Sequence, residues 1–173
     1  GLAASEKLVE QDDVDFVTGF IWSHVLLASA RTVLDADKFL ISANAGPSPM
    51  AGENCHPNFF AVAWQNDQTP MAMGEVLNQL GVESLYVMAP NYAAGNDMVA
   101  GVERTFQGEI VGRDLTKWGA DAQLETSAGV PLHLDVAARH GVKHLVIVQV
   151  SHGASPVLHR ADRRGRLLVR PGR

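Results

Sequence analysis

One cysteine in 173 residues, Cys55, leaves no material for an internal disulfide framework or a multi-cysteine zinc site. No apolar run approaches the roughly 18 residues of a membrane-spanning helix. An excess of positive charge is missing as well. The formal net charge is −5, so the whole-chain balance gives a nucleic-acid-binding surface no support. Neither standard glycine-rich phosphate motif is present. The start has no Met, no basic segment and no apolar stretch of the kind that makes a secretory leader; Gly1-Leu2-Ala3-Ala4 runs straight into a helical pattern. The expectation is a chain that starts after cleavage or follows a lost upstream part, and location in the cell is not read from it.

What is present is ordinary globular material. The chain is 46% hydrophobic and 19% charged, enough to bury a core, and its length suits one domain or two small lobes. The averages conceal an asymmetry. Residues 1–123 hold 6 Lys and Arg against 16 Asp and Glu, whereas residues 124–173 hold 8 against 3. All 11 aromatic residues lie at or before Trp118, and 5 of the 7 histidines lie after position 123. A shift this sharp marks a domain border, a basic interaction tail or a foreign reading frame.

Periodicity gives an alternation of short strands and helices. A helix is expected over 2–11, where Leu2, Leu8 and Val9 share a stripe. Strands are expected over 14–19, 38–42, 58–64, 84–88 and 108–112. Helices are expected from an N-cap at Ser23 to about Leu34, from a cap at Asn66 or Asp67 to about Leu80, and up to about Phe106. Further on, 134–140 reads as a helix and 145–150 as a buried strand, while the Arg-rich stretch beyond Ser151 reads as a loose tail. Alternation with short loops predicts an α/β fold of parallel sheets flanked by helices. In such folds ligands gather at the carboxyl ends of strands, where helix N-termini present free N–H groups. The loops at 20–23, 42–46 and 90–95 occupy that position.

Most catalytic readings fail on spacing. His140 and His144 are four apart, but Gly141 interrupts the helical face that a metal pair would need, so polar turn residues are the better reading. Cys55 and His56 are sequential neighbours, whereas a catalytic pair is normally brought together in space; a lone Cys here could instead pair with a partner. Ser48 lies in Gly-Pro-Ser-Pro-Met, which lacks the second glycine of a nucleophile elbow. Asp12 and Asp13 precede a strand instead of ending one, which suits a solvated helix end. No metal and no cofactor is expected. What remains is a binding site without a reaction. Ser23 offers a hydroxyl and the N–H groups of a helix start to a carboxylate, or serves as a plain cap. Tyr92 closes over a ligand or is an exposed loop aromatic. Trp22 and Trp64 form apolar walls or pack in the core.

The stretches "VDFVTGFIWSHVLLA", "LISANAGPSPMAGENCHPNFFAVAWQNDQTPMAMG" and "LYVMAPNYAAGNDMVAGVERTFQGEIVG" together resemble the periplasmic substrate-binding proteins of branched-chain amino acid ABC transporters. The resemblance covers about residues 1–123. It implies a partial two-lobed type I periplasmic-binding-protein fold, with 1–64 in the first lobe, 65–150 in the second, and 151–173 as a basic, loosely ordered tail. It implies no enzyme, but an extracytoplasmic binder in the periplasm. The ligand would be a branched-chain amino acid or a related small carboxylate, such as an aromatic acid, delivered to an ABC permease in the membrane, with no nucleic acid involved. By the same resemblance Ser23 holds the ligand carboxylate, and Asn44, Ala45 and Gly46 supply groups beside it. The chain crosses lobes near Trp64, and Tyr92 closes from the second lobe. Gly46 stands where amino acid binders often carry Thr. The stretch "LETSAGVPLHLDVAARHGVKHL" does not match the acidic, aromatic-bearing helix with which members continue, and the charge reversal begins there, so a truncated or frame-shifted product with an unrelated tail is expected, or else a divergent genuine end that keeps the strand over 145–150. A sensory module of the same fold, a small α/β hydrolase and a chain that binds nothing without a partner are the rivals.

Overall fold

The computed structural model describes residues 1–117 and three strands beyond them, at 144–147, 157–161 and 167–168. Two sheets organise these residues. The first is parallel and three-stranded, in the order β1 (Phe16–Thr18), β2 (Phe39–Ser42), β3 (Phe59–Ala61). Helices α1 (Leu2–Glu10) and α2 (Ser23–Leu34) accompany it. Strand alternation decides which face they cover. Val17 and Leu40 are register partners and point into a core with Leu26, Ala30, Val33 and Met50. Leu26, Val33 and Leu40 are wholly buried, each contributing about 1.5–3 kcal/mol of transfer free energy. Their neighbours Phe16 and Phe39 turn to the other side, where their rings stack at 5.2 Å and Phe60 lies 6.2 Å from Phe39. Those three side chains are exposed.

The second sheet is built on β4 (Ser84–Pro90), whose five central residues are all buried. That continuous apolar run is the pattern of a parallel strand covered on both faces. β4 pairs in parallel with β5 (Glu109–Thr116) on one side and with β6 (His144–Ile147) on the other. β7 (Val157–Ala161) and β8 (Leu167–Leu168) extend the sheet antiparallel. α3 (Gln68–Gln79) and α4 (Ala93–Thr105) pack on each other, and Leu77, Val99 and Val102 join Leu85, Val87 and Phe106 in the second core. The chain leaves the first sheet after β3 and enters the second at β4.

The expected α/β architecture of parallel sheets and flanking helices is therefore present. Its details differ in four places. β3 stops at Ala61, short of the expected Trp64, because its partner β2 ends at Ser42. β4 and β5 run longer than expected, since pairing continues to Pro90 and Thr116 past a one-residue register shift at Val111. The stretch expected as a loose tail contributes β7 and β8. β6 opens at His144, one residue before the expected start at 145. The helix expected over 134–140 lies outside the described residues, as do positions 148–150 of the expected strand. No described helix is long and apolar enough to cross a membrane.

Candidate functional site

The carboxyl ends of β1, β2 and β4 feed the loops in which the expected ligand residues lie. Two of these loops are tied together. Asn44 donates its side-chain amide to the Ile21 carbonyl at 3.1 Å, and the Ala45 N–H donates to the Phe20 carbonyl at 3.2 Å. The loop after β2 is thus pinned beside the loop that leads into α2. Ser42 closes it from within by donating its hydroxyl to the Ala45 carbonyl.

Ser23 is not the N-cap of α2, as its place in the sequence predicts. Trp22 takes that position with extended backbone (φ −98°, ψ 126°), and its carbonyl accepts the N–H groups of Val25 and Leu26. Ser23 is the first helical residue. Its hydroxyl is buried and accepts the Asn66 side-chain amide at 3.0 Å instead of capping a backbone N–H.

Tyr92 precedes α4 as its N-cap residue and is buried to 8% exposure. Two rings from the start of α2 meet it edge-on. The Trp22 centroid lies at 6.3 Å and the His24 centroid at 5.7 Å, with interplanar angles of 78° and 88°. Edge-to-face packing at this separation is attractive. It also fixes the geometry of the site, because the residues on either side of Ser23 both contact Tyr92. The N-termini of α2 and α4 therefore converge, and Asn66, one residue before the Asp67 cap of α3, brings in a third helix start. Three helix starts in one place present free N–H groups that suit an anion, with the Asp97 carboxylate beside Asn66 as an opposing charge.

Burial pushes the Tyr92 phenol up to about 12, and the nearby Asp97 carboxylate adds to the effect. The neutral form is thus favoured in the folded chain, while an unfolded tyrosine ionises near pH ~10. The contribution of Tyr92 to stability is complete below that pH and is lost as pH rises from about 10 to about 12. In an ultraviolet titration of the folded protein, one phenol is expected to hold its proton past pH ~11, and Tyr92→Phe to abolish that late step. A late step of undiminished amplitude after the substitution contradicts the assignment.

The other expected residues do not all converge. Gly46 faces the crossing segment, and its carbonyl accepts the Asn66 backbone N–H at 2.8 Å. Trp64 is 74% exposed. With Gly46, Met50, Phe59 and Ala61 it lines a pocket of about 220 Å³ whose lining includes neither Ser23 nor Tyr92. Asp12 and Asp13 are exposed and pair with Lys7 and Lys38, as a solvated helix end should. Cys55 is free and exposed, and the His56 Nδ1 accepts the Asn58 N–H within its own turn. Among the described residues no group of His, Cys, Asp or Glu is arranged to hold a metal.

Sequence reasoning missed Asp97 and took Asn66 only as a possible helix cap. Asp97 Oδ2 accepts the Ser48 backbone N–H at 3.0 Å and the Asn66 amide at 2.9 Å. These partners are 49 and 31 residues distant in the chain, and no local pattern announces such a contact.

A family model described as periplasmic binding protein matches residues 1–129. The chain belongs to the periplasmic binding protein family. Solved structures agree on the fold of this binding-protein chain. It is similar to a solute-binding protein of an R. palustris ABC transporter in complex with benzoate, with a TM-score of 0.75 and 23% identity over 86% of this chain and 40% of that one. A second R. palustris solute-binding protein, in complex with 4-hydroxybenzoate, gives a TM-score of 0.71 at 16% identity, again over 86% and 40%. The branched-chain amino acid transporter substrate binding protein LivJ from Streptococcus pneumoniae, in complex with isoleucine, gives 0.59 at 20% identity over 69% and 34%. No curated protein matches. The chain thus spans about 40% of the length of the first two, and its α/β architecture is part of a type I periplasmic-binding-protein fold.

Proposed function

We propose that this chain serves an extracytoplasmic solute-binding protein of an ABC transporter, holding a small carboxylate between the start of α2 and the Tyr92 loop. A membrane permease is the receiving partner, and no reaction is catalysed. The observation that carries the reading is the convergence of Trp22, Ser23 and His24 with Tyr92 at helix N-termini. Ser23 supplies a hydroxyl, and the helix starts supply N–H groups for the carboxylate. The rings beside it suit an apolar or aromatic remainder. The complexes of similar proteins with benzoate and 4-hydroxybenzoate support an aromatic acid. The complex with isoleucine keeps a branched-chain amino acid as the second candidate.

Calorimetry with benzoate, 4-hydroxybenzoate and isoleucine tests this. At least one acid should bind, and its methyl ester should not. Ser23→Ala removes a hydrogen bond to a charged group, worth about 1.5–3 kcal/mol, and should weaken binding roughly 10- to 100-fold. Equal affinity for acid and ester, or an unchanged affinity in Ser23→Ala, refutes the site.

A further inference from the structure

A hydroxyl that must donate to a ligand works best when its own lone pair is already engaged by another donor. Ser23 meets that condition. The Asn66 side chain has two amide hydrogens, one donated to Ser23 Oγ at 3.0 Å and the other to Asp97 Oδ2 at 2.9 Å. With both hydrogens on acceptors, the amide has one orientation that satisfies its neighbours and no reason to flip. Asp97 Oδ2 is itself held by a second donor, the Ser48 backbone N–H at 3.0 Å. At the first position of α2, Ser23 also has no helical carbonyl four residues back to take its proton, the usual fate of a serine further along a helix.

We propose that Asn66 is a positioning residue that fixes the Ser23 hydroxyl as a donor toward the ligand carboxylate, with Asp97 anchoring Asn66 in turn. This rests on the carboxylate-binding reading above. It adds a role that neither the motif around Ser23 nor that around Tyr92 contains. The three side chains come from the start of α2, from the segment that leaves the first sheet and from α4, so the orientation of Ser23 depends on how these segments sit together. Charge-assisted bonding to Asp97 makes the anchor stronger than a neutral pair would be.

The test is a double-mutant cycle on the full chain, read by calorimetry with benzoate or isoleucine, whichever the wild type binds. Asn66→Ala should weaken binding at least fivefold. In the Ser23→Ala background the same change should alter affinity less than twofold, because there is no hydroxyl left to orient. A loss under fivefold, or an equal loss in both backgrounds, overturns the positioning role and leaves the carboxylate site intact. A wild type that binds neither probe overturns both. Should Asn66→Ala fail to fold, the side-chain amide resonances of Asn66 in the ligand-free protein decide the matter. Ser23→Ala and Asp97→Asn should each shift them, and resonances that move with neither change overturn the proposal.

Discussion

An Arg104→Ala variant is expected to melt about 5–10 °C below the parent, from a loss of about 2–3 kcal/mol. Asp67 is 2% exposed, and its Oδ2 accepts the Arg104 guanidinium at 2.9 Å. Its other oxygen, Oδ1, has no hydrogen-bond partner among the described residues. A buried carboxylate with one satisfied oxygen depends heavily on the single cation it meets. Removing that cation leaves the charge to be carried by burial alone, which is the costly half of any buried ion pair. Arg104 is itself 55% exposed, so water can take part of its place, and the expected cost lies below that of a fully buried pair. Asp67→Asn combined with Arg104→Ala should recover part of the loss, because the uncompensated charge is then gone. Thermal melting of the two single variants and the double variant checks this. Equal melting of Arg104→Ala and the parent would show the pair to be energetically idle.

This ion pair marks a limit of what residues reveal before folding. Asn66 or Asp67 is the expected helix cap; Asp67 takes the cap position of α3, but it makes no side-chain cap bond. Its carboxylate turns to a residue 37 positions away. The order of strands and helices was legible because it rests on local signals. A short β-rich run closed by Gly19 marks β1, the apolar Phe39-Leu40-Ile41 marks β2, a continuous apolar run marks β4, and Gly81, with φ +68°, stops α3 where a left-handed residue is expected. β5 was legible only in its first half. Beyond Gly112 its residues include Arg113, Asp114 and Thr116, polar enough to resemble a loop. They are strand because pairing with β4 continues, and Asp114 accepts the Tyr86 hydroxyl at 2.9 Å.

The site divides in the same way. The loops at the strand ends are found by a rule of topology, whereas a Tyr92 that closes over the Ser23 site is what the family resemblance implies. From spacing alone the Ser23 hydroxyl serves a ligand carboxylate or caps its own helix. Extended backbone at Trp22 assigns that role to a neighbour and leaves Ser23 available to Asn66. Trp64, read as an apolar wall or a core residue, is 74% exposed and lines the pocket beside Gly46, apart from Ser23 and Tyr92.

Gly46→Thr, the residue that amino acid binders of the resembling family often carry, should be the more damaging change at the site. A Cβ at Gly46 would overlap the Trp64 carbonyl oxygen, and it would lie 3.2 Å from both the Trp64 carbonyl carbon and the Gln65 Cα. All three atoms are backbone, so no rotamer change relieves the contact. The crossing segment must move, and it is held there by the Asn66 N–H on the Gly46 carbonyl. Overpacking of this kind costs about 1–3 kcal/mol. Loss of the backbone hydrogen bond adds about 1 kcal/mol, giving an expected total of roughly 2–4 kcal/mol. The displacement also carries Asn66 away from Ser23, so ligand affinity should fall together with stability. Gly46→Ala already places the Cβ and should show most of the effect; the threonine hydroxyl adds little. Melting and calorimetry on both variants separate this account from one based on side-chain chemistry. If Gly46→Ala matches the parent while Gly46→Thr binds an amino acid more tightly, the close approach of Trp64 does not govern this position, and the glycine is a matter of ligand choice alone.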